Sequence, residues 1–235
     1  MANWSAENAI KAYLSTLKMG NKTKQPDVDI AEFISALAAG NNSQLMVVAS
    51  AGAADSTTLA LVAAAHQTGG RVVCILPSLQ ELGLSQEALG LPNANHIEFV
   101  IGEARNLLLN YYSEADFVVI DCKLKDFGDI FRAMEAGRDS NYNGGVVLGY
   151  NVLCNGSVLQ QWRELKGQLL PIGKGLLVAR INAANSRKNN GGGCVSACTS
   201  GKRKSHWVVK VDKCTGEEHA FRVRLPGRCL KPSEV

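Results

Sequence analysis

The stretch Asp116-Phe-Val-Val-Ile-Asp121-Cys-Lys-Leu-Lys-Asp126 carries the most chemistry in this sequence. A polar start, an apolar run, a carboxylate and a charged turn are how a buried parallel strand delivers an acid to the carboxyl edge of a sheet. Asp121 is therefore a candidate acid, base or metal anchor, and Lys123 and Lys125 are candidate bases beside it. Gly144-Gly-Val-Val-Leu-Gly-Tyr150-Asn151 repeats the pattern and ends a second strand on a polar residue nearby. Upstream, an apolar run at Leu45 opens into the small-residue loop Ser50-Ala-Gly-Ala-Ala-Asp55-Ser56, which suits any doubly wound nucleotide-binding fold.

Other constellations resolve toward ordinary roles. Cys194 and Cys198, with Cys214, Cys229, His206 and His219, offer one cysteine pair within zinc-ligand range. The second pair lacks the compact spacing of zinc modules, so free thiols are expected and zinc is not. Cys122 has no adjacent histidine to activate it and reads as a buried thiol. The basic segment 187 to 210, with Trp207, reads as a solvated linker rather than a nucleic-acid interface. Trp4 and Trp162 are placed on helices near the presumed ligand face, for packing or as a substrate wall.

These residues need elements to position them. Helical spacing predicts helices over 5 to 18 and 29 to 39, with a basic, polar break between them. Strands follow at 45 to 49, 71 to 76, 96 to 101, 116 to 121 and 144 to 150. They alternate with helices over 57 to 66, 78 to 89, 103 to 112 and 125 to 137. That alternation predicts an α/β fold with a doubly wound, mostly parallel sheet. A helical stretch over 155 to 166 precedes an antiparallel hairpin formed by 168 to 172 and 175 to 181. The expected division is a main domain over 1–181 (with N-terminal helices in 1–44), a flexible basic Gly-rich linker over 182–205, and a C-terminal β-hairpin extension over 206–235 that packs on the main domain.

Of the 235 residues, 46% are apolar and 20% charged, with a net charge of +4. No apolar run is long enough for a transmembrane span, and the N-terminus lacks a signal-peptide layout. The odd count of seven cysteines favours reduced thiols in a cytoplasmic or nuclear compartment.

The block Asp116 to Asp121, then Gly144 to Asn151, Asn155-Gly-Ser-Val158, and Leu170-Pro-Ile-Gly-Lys-Gly-Leu-Leu-Val-Ala-Arg-Ile181 resembles the caffeoyl-CoA O-methyltransferases in order and approximate spacing. Those are class I S-adenosylmethionine-dependent enzymes with a divalent metal. The whole chain is also similar to a plant family of uncharacterised methyltransferase-like proteins, a domain of unknown function. The resemblance implies a Rossmann-like seven-stranded methyltransferase sheet whose last hairpin is antiparallel, and a homodimer through the outer helices. It also implies S-adenosyl-L-methionine as the cofactor to test.

The implied cofactor-binding positions are Ser50, Gly52, Ser56, Gly102, Ala104 and Asp121. The first loop departs from the family pattern: the family's acid falls on Val48, its first glycine on Ser50 and its second on Ala54. The acid that binds the ribose hydroxyls falls on Leu76. Losing hydrogen bonds of about 1.5–3 kcal/mol each weakens such a site. Gly102-Glu103-Ala104 keeps the family's Gly-x-Ala. At the implied metal site only Asp121 and Asn151 remain. Lys123 replaces the second acid and Val152 follows Asn151. Mg²⁺ and Ca²⁺ want several oxygen ligands, so no metal is expected.

Three functions follow. The first is a methyltransferase-fold protein with eroded motifs that binds a small molecule at the carboxyl edge of the sheet, without efficient methyl transfer. The second is a divergent, metal-independent methyltransferase of a plant metabolite. The third is an enzyme of different chemistry reusing the pocket.

Overall fold

The computed structural model describes residues 4–23, 28–136, 145–154, 167–181, 205–211 and 218–224, the last two stretches by backbone alone. Helices α1 (Ala6–Thr23) and α2 (Val28–Gly40) precede β1 (Leu45–Ala49). Then come α3 (Ser56–Thr68), β2 (Arg71–Leu76), α4 (Leu79–Leu89), the short α5 (Leu91–Ala94) and β3 (Ile97–Ile101). After α6 (Ala104–Asn106) and a π-turn (Leu107–Tyr111) come β4 (Phe117–Asp121), α7 (Phe127–Ala136) and β5 (Gly145–Tyr150). A 3₁₀ turn (Val152–Cys154), β6 (Gln168–Leu170) and β7 (Leu176–Ile181) complete the larger unit. The chain divides into two compact units, 1–187 and 188–235. The second contains the antiparallel pair β8 (Ser205–Val211) and β9 (Glu218–Arg224), which starts at Ser205 opposite Arg224.

The seven-stranded sheet has the order β3-β2-β1-β4-β5-β7-β6. β1 to β5 pair in parallel, and β7 joins antiparallel between β5 and β6. The strands are continuous apolar runs because both faces are covered. Val48, Cys74, Val119 and Leu148 pack with α1, α2 and α3 on one face. Val47, Val73, Val118 and Val147 pack with α6 and α7 on the other.

At the amino edge, Asp116 pins β4 to β1. Its carboxylate oxygens accept from the backbone N–H of Gln44 at 2.8 Å and of Leu45 at 3.1 Å. These bonds satisfy donors that the start of a strand would leave unpaired. The carboxyl edge is thereby left free to carry a site.

Three local expectations need correction. α1 runs on to Thr23, into the stretch from 19 to 27 read as a break, of which 24–27 lie outside the described residues. One interior glycine, Gly20, costs about 1 kcal/mol and does not stop a long helix. The helix expected over 103 to 112 is one α-turn followed by a π-turn. Trp4 lies at the amino edge, not the ligand face: its ring occupies the space above Gly40, and Ser5 N–H donates to the Gly40 carbonyl at 2.8 Å. The stretches 155 to 166 and 182 to 204, and Trp162 with them, lie outside the described residues.

Candidate ligand site at the carboxyl edge

Strand periodicity selects which side chains meet here. Phe117, Val119 and Asp121 share one face of β4, and Val146, Leu148 and Tyr150 share the same face of β5. Register sets Asp121 directly opposite Tyr150. Ser50 continues the matching face of β1, and Leu76 that of β2. This is the face covered by α3. Asp121, Tyr150 and Ser50 therefore gather near the N-terminus of α3, where Asp55 is the N-cap.

Asp121 is only 5% exposed. Its Oδ1 accepts from the Lys123 backbone N–H and from Asn151 Nδ2, each at 3.0 Å. Asn151 is buried and has a left-handed backbone, φ 62°, a conformation asparagine tolerates better than most residues. Asp55 accepts from Thr57 N–H at 2.9 Å. Burial raises the pKa of Asp55, the Thr57 hydrogen bond opposes that, and the negative charge of Asp121 adds to it. Tyr150 is 3% exposed, and its hydroxyl has no hydrogen-bond partner. Burial first, and then Asp55 and Asp121, raise its pKa well above the ordinary phenol value, with the neighbouring Ser50 hydroxyl opposing. Ser50 itself donates to the Ala53 carbonyl at 3.3 Å.

A cavity of about 320 Å³ opens beside this cluster, lined by Ser50, Ile75, Leu76, Pro77, Gly102, Glu103, Ala104, Leu124 and Asp126. That volume is at the small end of the range for ligand pockets. Of the expected cofactor-binding residues, Ser50, Gly102 and Ala104 line this cavity, whereas Gly52, Ser56 and Asp121 do not. Lys123 and Lys125 are exposed. Glu81, the nearest acid downstream of Leu76, lies against the loop after β1, with Oε2 3.9 Å from where a Gly52 Cβ would stand. The residues partly fit an adenosyl group: a small-residue floor at Gly102 and Ala104 is present, and an acid at Leu76 is not. They do not fit a divalent metal. One oxygen of Asp121 is engaged by two donors, and among the described residues no group of three or more His, Cys, Asp or Glu is placed to hold one.

Both cysteines near the edge are buried thiols. Burial, opposed by Thr58, pushes Cys74 to about 12, and burial together with Asp121 pushes Cys122 up too. Neither is a ready nucleophile.

Sequence reasoning passed over Asp55, Tyr150, Glu103 and Asp126. Asp55-Ser-Thr-Thr before an apolar run is a readable helix start. The alternation 146, 148, 150 puts Tyr150 on the face of Asp121. Those two signals together would have found the cluster.

The raised pKa of Asp55 has a consequence for stability. A carboxyl group whose folded pKa lies above its ordinary 3.8 penalises folding once it must ionise, so stability falls as pH rises through the raised value. Asparagine caps helices as well as aspartate does. Asp55→Asn is therefore expected to be more stable than the parent at neutral pH, with the gain vanishing near pH ~4 and below. Urea melts at several pH values check this.

The strand order, the antiparallel β7 and the edge site define a Rossmann-like methyltransferase fold. Solved structures share it: the methyltransferase PaMTH1 of Podospora anserina bound to SAH (15% identity, TM-score 0.52, covering 78% of this chain and 91% of that one). A Staphylococcus aureus protein provisionally named a caffeoyl-CoA O-methyltransferase is another (16%, TM-score 0.53, covering 72% and 91%). A third is the O-methyltransferase TomG of Streptomyces achromogenes with SAM (16%, TM-score 0.51, covering 76% and 91%). No curated protein matches the chain. By its sequence it belongs to the family described as "Protein of unknown function (DUF1442)", which matches residues 2–223.

Proposed function

We propose that this protein binds a small molecule at the carboxyl edge of a methyltransferase sheet and does not carry out efficient methyl transfer. The observation that carries the reading is the state of Asp121. Its carboxylate is tied to the Lys123 N–H and the Asn151 amide, and Lys123, Asn151 and the buried Val152 stand where the resemblance implies the other metal ligands. Among the described residues a metal-dependent methyl transfer has no ligand set. Leu76, where the ribose acid would stand, weakens but does not close an adenosyl site. A second reading, a metal-independent methyltransferase using S-adenosylmethionine, is favoured by the Gly102-Glu103-Ala104 turn beside Ser50 in the cavity lining. The proposal includes a homodimer through the outer helices, in keeping with Ile10 and Leu14 facing outward on α1.

Thermal-shift and calorimetric titration with S-adenosylmethionine and S-adenosylhomocysteine test the choice. A ligand at a hundred times its dissociation constant stabilises by about 2.7 kcal/mol. The expected result at millimolar ligand is a shift well short of that, with no methyl transfer to a catechol-type acceptor. A full, saturable shift with turnover overturns the proposal in favour of the second reading.

A further inference from the structure

His66 and His96 meet at the amino edge of the sheet, at the opposite strand ends from the cavity. α3 starts beside the loop after β1 and carries His66 in its last turn. His96 stands immediately before β3. Their ring centroids are 4.8 Å apart, with the planes at 87°, and both residues are exposed. Each ring is mounted on a fixed turn. Gly69, with φ 71°, caps α3, and its N–H donates to the Ala65 carbonyl at 2.8 Å. The His96 N–H donates to the Asn93 carbonyl at 3.1 Å, and Asn93 Nδ2 donates to the Leu89 carbonyl at 2.8 Å.

The spacing is that of two imidazoles on one metal ion. With nitrogen–metal distances of about 2.0–2.1 Å, rings bound at right angles or at the tetrahedral angle have centroids roughly 4.5–5.2 Å apart. Rotation about Cβ–Cγ turns the nitrogens of a histidine while leaving its centroid almost in place, and that torsion is soft. The edge-to-face pair can therefore present two nitrogens to one ion without backbone movement. The electrostatics agree. Burial first, and then His96, lowers the pKa of His66, which favours the neutral ring that ligates. The C-terminal end of a helix carries partial negative charge, so a cation beside the last turn of α3 is favoured. No third His, Cys, Asp or Glu joins the pair among the described residues, so water completes the shell. Imidazole nitrogen suits zinc, nickel and copper, whereas magnesium and calcium want oxygen ligands.

We infer that His66 and His96 together chelate one divalent transition-metal ion at the amino edge, joining the end of α3 to the start of β3. This site is separate from the proposed small-molecule site and does not depend on it. Both ligands are in place only in the folded chain, so occupancy raises stability by mass action.

Calorimetric titration of the full, reduced chain with Ni²⁺ tests the assignment at about pH 7.5, where imidazole is neutral. Ni²⁺ is the probe because Cu²⁺ oxidises thiols and the chain has seven cysteines. The parent is compared with His66→Ala, His96→Ala and the double variant. Both rings are exposed, so the metal-free variants are expected to melt close to the parent. The parent is expected to bind Ni²⁺ at least roughly tenfold more tightly than either single variant. The double variant is expected to bind no more weakly than the singles, because chelation is lost with the first ring. Ni²⁺ is also expected to raise the melting temperature of the parent more than that of any variant. Binding at Cys194, Cys198, His206 or His219 is a background common to the parent and all the variants. Equal affinity in the parent and both single variants overturns the inference. So does a loss confined to one of them, or a double variant that loses the product of the two single losses, since each describes rings that act alone.

Discussion

Asp121→Ala is expected to destabilise the protein by about 3–6 kcal/mol, since hydrogen bonds to a charged group contribute about 1.5–3 kcal/mol each and two are lost. The Lys123 N–H and the Asn151 amide both donate to the same oxygen of this buried carboxylate. Asn151 is held by that bond in a left-handed backbone, so its loss also frees the turn that leads from β5 into the 3₁₀ segment. Asp121→Asn retains an acceptor oxygen and is expected to cost clearly less. Urea denaturation of both variants measures the difference. An Asp121→Ala cost below about 1 kcal/mol would show that the carboxylate is not a structural anchor. The result also bears on any activity assay: a loss of function in Asp121→Ala says nothing about chemistry unless Asp121→Asn, with its fold intact, shows it too.

The second large effect lies beneath the same strand end. Phe127 is 1% exposed, and its ring packs against Phe131 with centroids 5.6 Å apart. It lies where a side chain on Gly149 would go: a Cβ there would stand 2.7 Å from Phe127 Cζ and 3.0 Å from Cys122 Sγ. Phe127→Ala is expected to cost about 3–5 kcal/mol through lost burial and the cavity left behind. Gly149→Ala is expected to cost about 1–3 kcal/mol by overpacking. In the double variant the added methyl occupies space the ring has vacated. The combined cost should fall short of the sum by about 0.5–3 kcal/mol, the coupling typical of residues in contact. Strict additivity would mean that the ring and the glycine do not share that space.

The parallel strands were legible because each is a short apolar run bounded by polar or small residues, and burial on both faces demands such runs. Bounds at Leu45–Ala49 and Arg71–Leu76 agree to the residue. The antiparallel hairpin was legible from Gly173-Lys174, and Gly173 has a positive φ of 53°. The site was harder to read. Asp55 looks in sequence like any helix cap, because the same side chain that accepts from Thr57 N–H also turns its charge toward Asp121. Tyr150 looked like part of a strand-end motif, and only packing shows that its hydroxyl is stranded. Lys123 and Lys125 drew attention for their charge, yet solvation holds both outside. The π-turn after Asn106 has no sequence signature comparable to a cap, so a single helix was the natural expectation there.

The bond from Asp116 to the start of β1 has a consequence in the order of synthesis. Partners 71 and 72 residues apart must meet before β1 and β4 lie side by side. Until then the nascent chain carries Ser50 and Asp55 but no acid opposite them. Tyr150 arrives later still. At ribosomal rates of about 5–20 residues per second, several seconds separate the emergence of Asp55 from that of its partners. On the proposed reading, a ligand at this edge can therefore act on folding only as a late clamp, once β4 and β5 have emerged.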